Sequence, residues 1–318
     1  MQPGKRMLRT WQGGKMKRTE RKLNHAYENA LCLPIHRNSR IVLMSDCHRG
    51  IGNWGDNFQA NQNLFFAALQ YYNRRKFTYI ELGDGDELWE NRDLHEIVRI
   101  HSNQFWMMEQ FYCSGRLHML YGNHDRKKSQ EKYFQNACRG DFCKGKGETG
   151  LFPGMKVEEA IRLKDSCSGT ELLLVHGHQG DLWNDTLWKV TRFLVRYLWR
   201  PLELAGCNDP TSAAKNYPKK ERIERRLAAW ASRHKTILIA GHTHRPAFPK
   251  PGEGYYFNDG SCVHPRCITA LEIERGEISL VKWSVKVRED SVMYIGRDVL
   301  EGAVPLKEFA GKNEKIEK

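Results

Sequence analysis

Five short apolar runs recur along this chain, at residues 40–45, 77–82, 116–121, 171–175 and 236–240, and each stops at a cluster of small, acidic or imidazole side chains. Runs this short, bounded by glycine and polar residues, are strands rather than helices. Between several of them lie stretches with helical spacing. Residues 57–76 carry Leu64, Phe65, Ala68, Leu69 and Tyr72, and residues 92–114 carry Phe105, Trp106, Met107, Met108 and Phe111. Both stripes read as core-facing helix surface. Strands alternating with crossover helices predict an α/β fold. In such sheets the loops beyond the carboxyl ends of the strands form the functional rim.

The five strand-end clusters carry chemistry of one kind. The first is Asp46-Cys47-His48-Arg49-Gly50. Residues two apart in extended chain point the same way, so Asp46 and His48 can reach one ion, although a lone Asp-x-His is more readily a polar loop. The second is Gly83-Asp84, where the two oxygens of one carboxylate can bridge two ions ~3.5–4 Å apart. The third, Gly122-Asn123-His124-Asp125, offers a neutral amide oxygen for a hard cation and leaves His124 for substrate. The fourth is His176-Gly177-His178. The fifth is Gly241-His242-Thr243-His244-Arg245, whose two imidazoles can serve different ions.

Charge and cysteine usage narrow the partners. Lys and Arg number 51 against 38 Asp and Glu, a net +13. That balance favours an anionic partner: a phosphorylated small molecule or lipid, an anionic membrane surface, or nucleic acid. The nine cysteines include no Cys-x-x-Cys pair, which fits reduced thiols in a cytoplasmic protein. The first residues are basic without an apolar run behind them, so no secretory signal is expected. No stretch approaches the ~20 apolar residues of a membrane span.

Together the motifs Asp46-x-His48, Gly83-Asp84, Gly122-Asn123-His124-Asp125, His176-Gly177 and Gly241-His242-Thr243-His244 resemble the calcineurin-like metallophosphoesterase superfamily over roughly residues 40–275. The resemblance implies a four-layer α/β/β/α sandwich and two divalent ions. The first ion would take Asp46, His48, Asp84 and His244, and the second Asp84, Asn123, His176 and His242. Mixed imidazole and carboxylate ligands suit Mn, with Fe or Zn as alternatives. With only Asp46 and Asp84 anionic, two divalent ions would leave a positive site suited to phosphate. The implied reaction is hydrolysis of a phosphodiester or pyrophosphate by an activated water. His124 would contact a phosphoryl oxygen or protonate the leaving group. Glu87 stands where relatives place a carboxylate that orients this histidine, with Asp125 a weaker candidate; an acid favoured at a helix start is an equal reading of Glu87. Arg49, Arg126 and Arg245 flank the motifs and are candidates to clamp a further phosphate oxygen.

Within the superfamily the chain is most similar to the UDP-2,3-diacylglucosamine hydrolase group. Asp84 is followed by Glu87 and Trp89, and the fourth motif, with its extra His178, runs into a basic, aromatic insertion at 183–232. That group would use the insertion as a helical lid for acyl chains, with Trp89 and His178 near substrate. The chain departs from it at His124, where those hydrolases typically carry Arg. Residues 183–199 place Lys189, Arg192 and Arg196 at helical spacing beside Trp188, Phe193, Leu198 and Trp199. Such a face suits an anionic membrane surface through 183–200, or equally a helix packed on the body. A nuclease or protein phosphatase of the same superfamily is the alternative function. The expected organisation is a basic N-terminal arm over 1–39 with a short helix at 20–31, a metallophosphoesterase domain over 40–285, and a C-terminal extension over 286–318. Further strands are expected at 255–257, 267–273 and 278–285, and a second basic helix at 218–232.

Overall fold

A computed structural model describes residues 17–130, 133–134, 150–181 and 217–309 of the 318-residue chain. The predicted alternation appears as two stacked sheets. The larger contains β2 (Arg40–Met44), β3 (Thr78–Glu81), β4 (Leu117–Leu120) and β5 (Val157–Glu158) in parallel, continued through β10 (Cys267–Glu274), β11 (Glu277–Val287) and β12 (Met293–Pro305) in antiparallel fashion. The smaller has the order β1 (Leu31–Ile35), β6 (Ala160–Asp165), β7 (Glu171–Val175), β8 (Ile237–Ala240), β9 (Tyr256–Asn258).

Side-chain alternation assigns each face. Ile41 and Leu43 of β2 meet Leu172, Leu174, Ile237 and Ile239 between the sheets. Val42 and Met44, one residue out of phase, instead pack under α2 (Gln62–Arg74) and α4 (Ser102–Cys113). On the other side Leu173, Val175, Leu238 and Ala240 lie under α1 (17–28) and α5 (Tyr217–His234), which bring Leu23, Ala26, Ile223, Leu227 and Trp230. The layering is therefore α/β/β/α. Each fully buried Leu or Ile contributes about 1.5–3 kcal/mol, so both faces of every central strand favour this register.

Several boundaries differ from the sequence reading. The segment 92–114 is two helices, α3 (Leu94–Ile100) and α4, broken at His101, whose buried ring sits 2.9 Å from Asp56. Residues 17–35 are part of the sandwich: α1 joins the α5 cluster and β1 extends the small sheet. Residues 293–305 likewise continue the large sheet. The acyl-lid, membrane-contact and 183–199 helix expectations fall on 182–216, outside the described residues, whereas the basic helix at 218–232 is the body of α5. Among the described residues no helix is long and apolar enough to cross a membrane.

Candidate metal centre

β2, β3 and β4 lie side by side in one sheet, and β7 and β8 in the other. Their carboxyl ends release the five motifs at one edge of the sandwich, within one to three residues of the last strand position. The loops are joined by backbone bonds: Asp46 N–H donates to Gly83 O (3.1 Å), His48 N–H to Asp84 O (2.9 Å) and Gly241 N–H to His176 O (2.9 Å). Glycine is required where loops touch. A Cβ on Gly122 would stand 2.1 Å from Asp84 Oδ1, and one on Gly241 2.1 Å from Ser45 Oγ. Asp46, His48, Asp84, His242 and His244 all have left-handed backbone, with φ between 48° and 66°. That conformation costs an L-residue about 1 kcal/mol or more, and it turns each side chain inward from its strand end.

The predicted ligands meet. Asp46 Oδ1 is 3.0 Å from His244 Nε2 and 3.7 Å from His48 Nε2. Asp84 Oδ2 is 3.1 Å from His176 Nε2 and 3.9 Å from His48 Nε2. Asp46–His48–His244 and Asp84–His176–His242 each gather donor atoms within 4.8 Å, and His48–Glu87–His124 forms a third such group. His176 gives Nδ1 to Leu82 O at 2.9 Å, which leaves Nε2 turned to Asp84. Burial resists ionisation of Asp84, yet His176, His124 and His48 outweigh it and hold the carboxyl far below its usual range. Burial also opposes the His176 imidazolium, but Asp84 raises its pKa to about 9. Asp84 and His176 thus favour each other's charged form.

Unpartnered atoms test whether a cation fits. Buried His48 Nε2, Asn123 Oδ1 and His176 Nε2 have no hydrogen-bond partner. Orphaned buried polar atoms are costly and rare, and here two of them, His48 Nε2 and His176 Nε2, lie within 3.9 Å of the Asp84 carboxylate. Residues of this type fit divalent transition ions.

Glu87 holds two imidazoles at once. Its carboxylate lies 3.0 Å from His48 Nδ1 and 2.7 Å from His124 Nδ1. It therefore fixes the proton on Nδ1 of both rings and frees both Nε2 atoms. Trp89 is buried and stacks on His124 with ring centres 4.0 Å apart. Burial lowers the His124 pKa, but Glu87 and Asp84 prevail and raise it.

Two expectations are corrected. Arg49 is not on the rim. It is fully buried, with Nε 2.6 Å from Asp86 Oδ1 and Nη1 2.9 Å from Glu81 Oε2. Neither is Asp125 the partner of His124: it accepts from the backbone N–H groups of Gly122 (2.7 Å), Gly85 (3.0 Å) and Asp84 (3.2 Å) and pairs with Lys128 (2.7 Å). Lys128 also reaches Asp86 at 2.7 Å, so these charges form one buried cluster beneath the Asp84 loop. Arg49→Met should cost about 3–5 kcal/mol, because Glu81 and Asp86 would be left as buried charges with one cation fewer; thermal melting measures it, and an unchanged midpoint would refute this account.

Arg126 and Arg245 are half-buried. The Arg126 guanidinium is 5.9 Å from the Tyr121 ring, and Arg245 is 3.3 Å from Glu224 and stacked on Tyr217. His178 is buried, its ring 5.6 Å from His176 and 6.1 Å from Tyr121. The sequence reading missed two carboxylates. Burial, reinforced by Asp46, holds Asp259 well above the usual range; its Oδ1 accepts from Ser45 Oγ (2.8 Å), which also lies 2.5 Å from Asp46 Oδ2. Asp181 lies beside His242, 3.6 Å from Nε2, and reduces the positive excess expected from Asp46 and Asp84 alone. An Asp just after a glycine was the only signal for either the 181 or the 84 position, and only 84 follows a strand directly.

A profile of the calcineurin-like phosphoesterase family matches residues 39–246. No curated protein sequence matches the chain. Among solved structures, Vps29 from Chaetomium thermophilum is similar with a TM-score of 0.38 and 9% identity, over 82% of this chain and 96% of that one. The matched span includes every strand-end motif and more than half of the 318 residues, so the chain belongs to the calcineurin-like phosphoesterase family.

Proposed function

We propose that the chain is a dinuclear metal-dependent hydrolase of a phosphodiester or pyrophosphate bond. The observation that carries this reading is the Glu87 carboxylate, shared between a ligand histidine, His48, and the half-buried His124. Asp46, His48, Asp84 and His244 would hold one ion, and Asp84, Asn123, His176 and His242 the other. Mn is the preferred pair, with Fe or Zn as alternatives. When bound, such ions supply Lewis-acid charge and an acidified water. The chain's own residues do the rest. Glu87 keeps the His124 proton on Nδ1 and favours the imidazolium, so Nε2–H is poised to protonate a leaving oxygen. Trp89 prevents the ring from turning.

For the substrate we favour an acylated nucleotide sugar like UDP-2,3-diacylglucosamine, on the Gly83-Asp84-x-x-Glu87-x-Trp89 pattern and the insertion that follows His176. A second reading, nucleic acid, is favoured by α1 and α5. These helices pack together and carry Lys17, Arg18, Arg21 and Lys22 on one and Lys219, Lys220, Arg222, Arg225 and Arg226 on the other. The test is a panel given to Mn-reconstituted protein: an aryl phosphodiester, a UDP-linked acylated sugar, a plain nucleotide diphosphate sugar and single-stranded DNA. The acylated compound is expected to be preferred. Preference for DNA, with an affinity falling steeply with salt, would transfer the assignment to the second reading. No turnover of any compound would overturn both.

A further inference from the structure

Asp181 follows His176 by five residues, yet no ligand set implied by the sequence includes it. The chain reaches it through Gly177, with φ 108°, and a single turn at His178–Gly180 closed by Asp181 N–H donating to His178 O at 2.8 Å. That turn is clamped from α5, where Arg226 donates to Gly180 O at 2.8 Å. The carboxylate so placed is 3% exposed. Its Oδ2 lies 3.6 Å from His242 Nε2 and 2.8 Å from Lys219 Nζ. His242 is held at its other end by its backbone N–H, 2.8 Å from Asp46 Oδ2. Its backbone is therefore fixed by a ligand candidate, while its ring Nε2 faces a carboxylate that belongs to neither implied ligand set.

We propose that Asp181 is a positioning residue of the metal centre. Its charge, within ion-pair range at 3.6 Å, favours the proton on His242 Nε2 and so the tautomer that leaves Nδ1 for the second ion; Lys219 ties the arrangement to α5. The inference rests on the dinuclear reading above. A ligating imidazole backed by a carboxylate is more basic and less free to rotate, and losing such a partner typically weakens metal binding ~10–100-fold. The competing account is mechanical: Asp181 and Lys219 stand at either end of 182–216, and their ion pair is merely a clasp between those ends.

Mn titration of metal-free full-length protein, followed by calorimetry, separates the two. Wild type should take two ions, and wild type that binds none overturns the dinuclear reading and this inference with it. Asp181→Asn should bind one ion normally and the other ~10–100-fold more weakly. Lys219→Met should keep both affinities, because the carboxylate remains on His242. Unchanged affinities in Asp181→Asn, or an equal loss in Lys219→Met, would establish the clasp and overturn the proposal. Should Asp181→Asn fail to fold, 15N spectra of the histidines in Zn-loaded wild type decide it: a proton on His242 Nε2 is expected, and a metal on that atom overturns the proposal.

Discussion

Asp84→Asn should yield a folded protein that has lost metal and turnover together. Asn is among the few residues that accept left-handed backbone readily, and Asp84 has φ 49°. The side-chain oxygen that receives His124 N–H at 2.8 Å can be kept. The second oxygen, which faces His176 and His48, becomes an NH2 group that cannot ligate. On the dinuclear reading, one negative charge that would screen two ions from each other is lost, so at most one ion should remain bound. Hydrolysis of an aryl phosphodiester should fall by more than the ~10–100-fold produced by altering a ligand's partner. Metal content by mass spectrometry, turnover and a thermal melt check the three parts separately. A variant with both metals and full activity would end the metal-centre assignment.

His124→Asn should show the opposite combination. Both ions stay, because His124 touches Glu87 and Trp89 rather than the Asp46 or Asp84 oxygens through its ring. Turnover should fall by ~10²–10⁴, the usual contribution of a positioned proton donor. The loss should depend on the substrate. A nitrophenolate leaves without a proton, so its hydrolysis should be damaged far less than that of an alkyl phosphodiester. Equal damage to both would make His124 a phosphoryl-binding group and not the acid. Glu87→Gln should combine both phenotypes, since the same carboxylate serves His48 and His124.

The candidate site was legible from sequence because its candidate ligands are local to strand ends. Each motif is a few residues long, and a strand end fixes where it points once the apolar run is recognised. Less local features were hidden. Arg49 sits between two motif positions and looks like a rim cation, but its partners Glu81 and Asp86 are 32 and 37 residues away. Nothing in a single sequence pairs them. Asp125 reads as part of a catalytic motif although its oxygens are consumed by three backbone amides and Lys128. In the fold, the strands that escaped notice are those with broken patterns. β1 contains Pro34 and occupies a sheet edge, the one place where a missing N–H is tolerated. β12 carries two glycines and is largely exposed at an edge of the large sheet. β5 and β6 also went unseen, and β6 lies inside the small sheet, its apolar residues alternating with Arg162 and Lys164; β2, β3, β7 and β8, with longer apolar runs, were recognised.

The left-handed backbone at Asp46, His48, Asp84, His242 and His244 has an evolutionary reading. At about 1 kcal/mol apiece, five such turns absorb an amount comparable with the net stability of many domains, ~5–15 kcal/mol. Glycine at any of them would relieve that burden and abolish a ligand in a single substitution. A lineage released from selection for catalysis should therefore drift toward glycine at these five places first and gain thermal stability as it does so, while a lineage that keeps Asp and His there reveals continued selection for the metals.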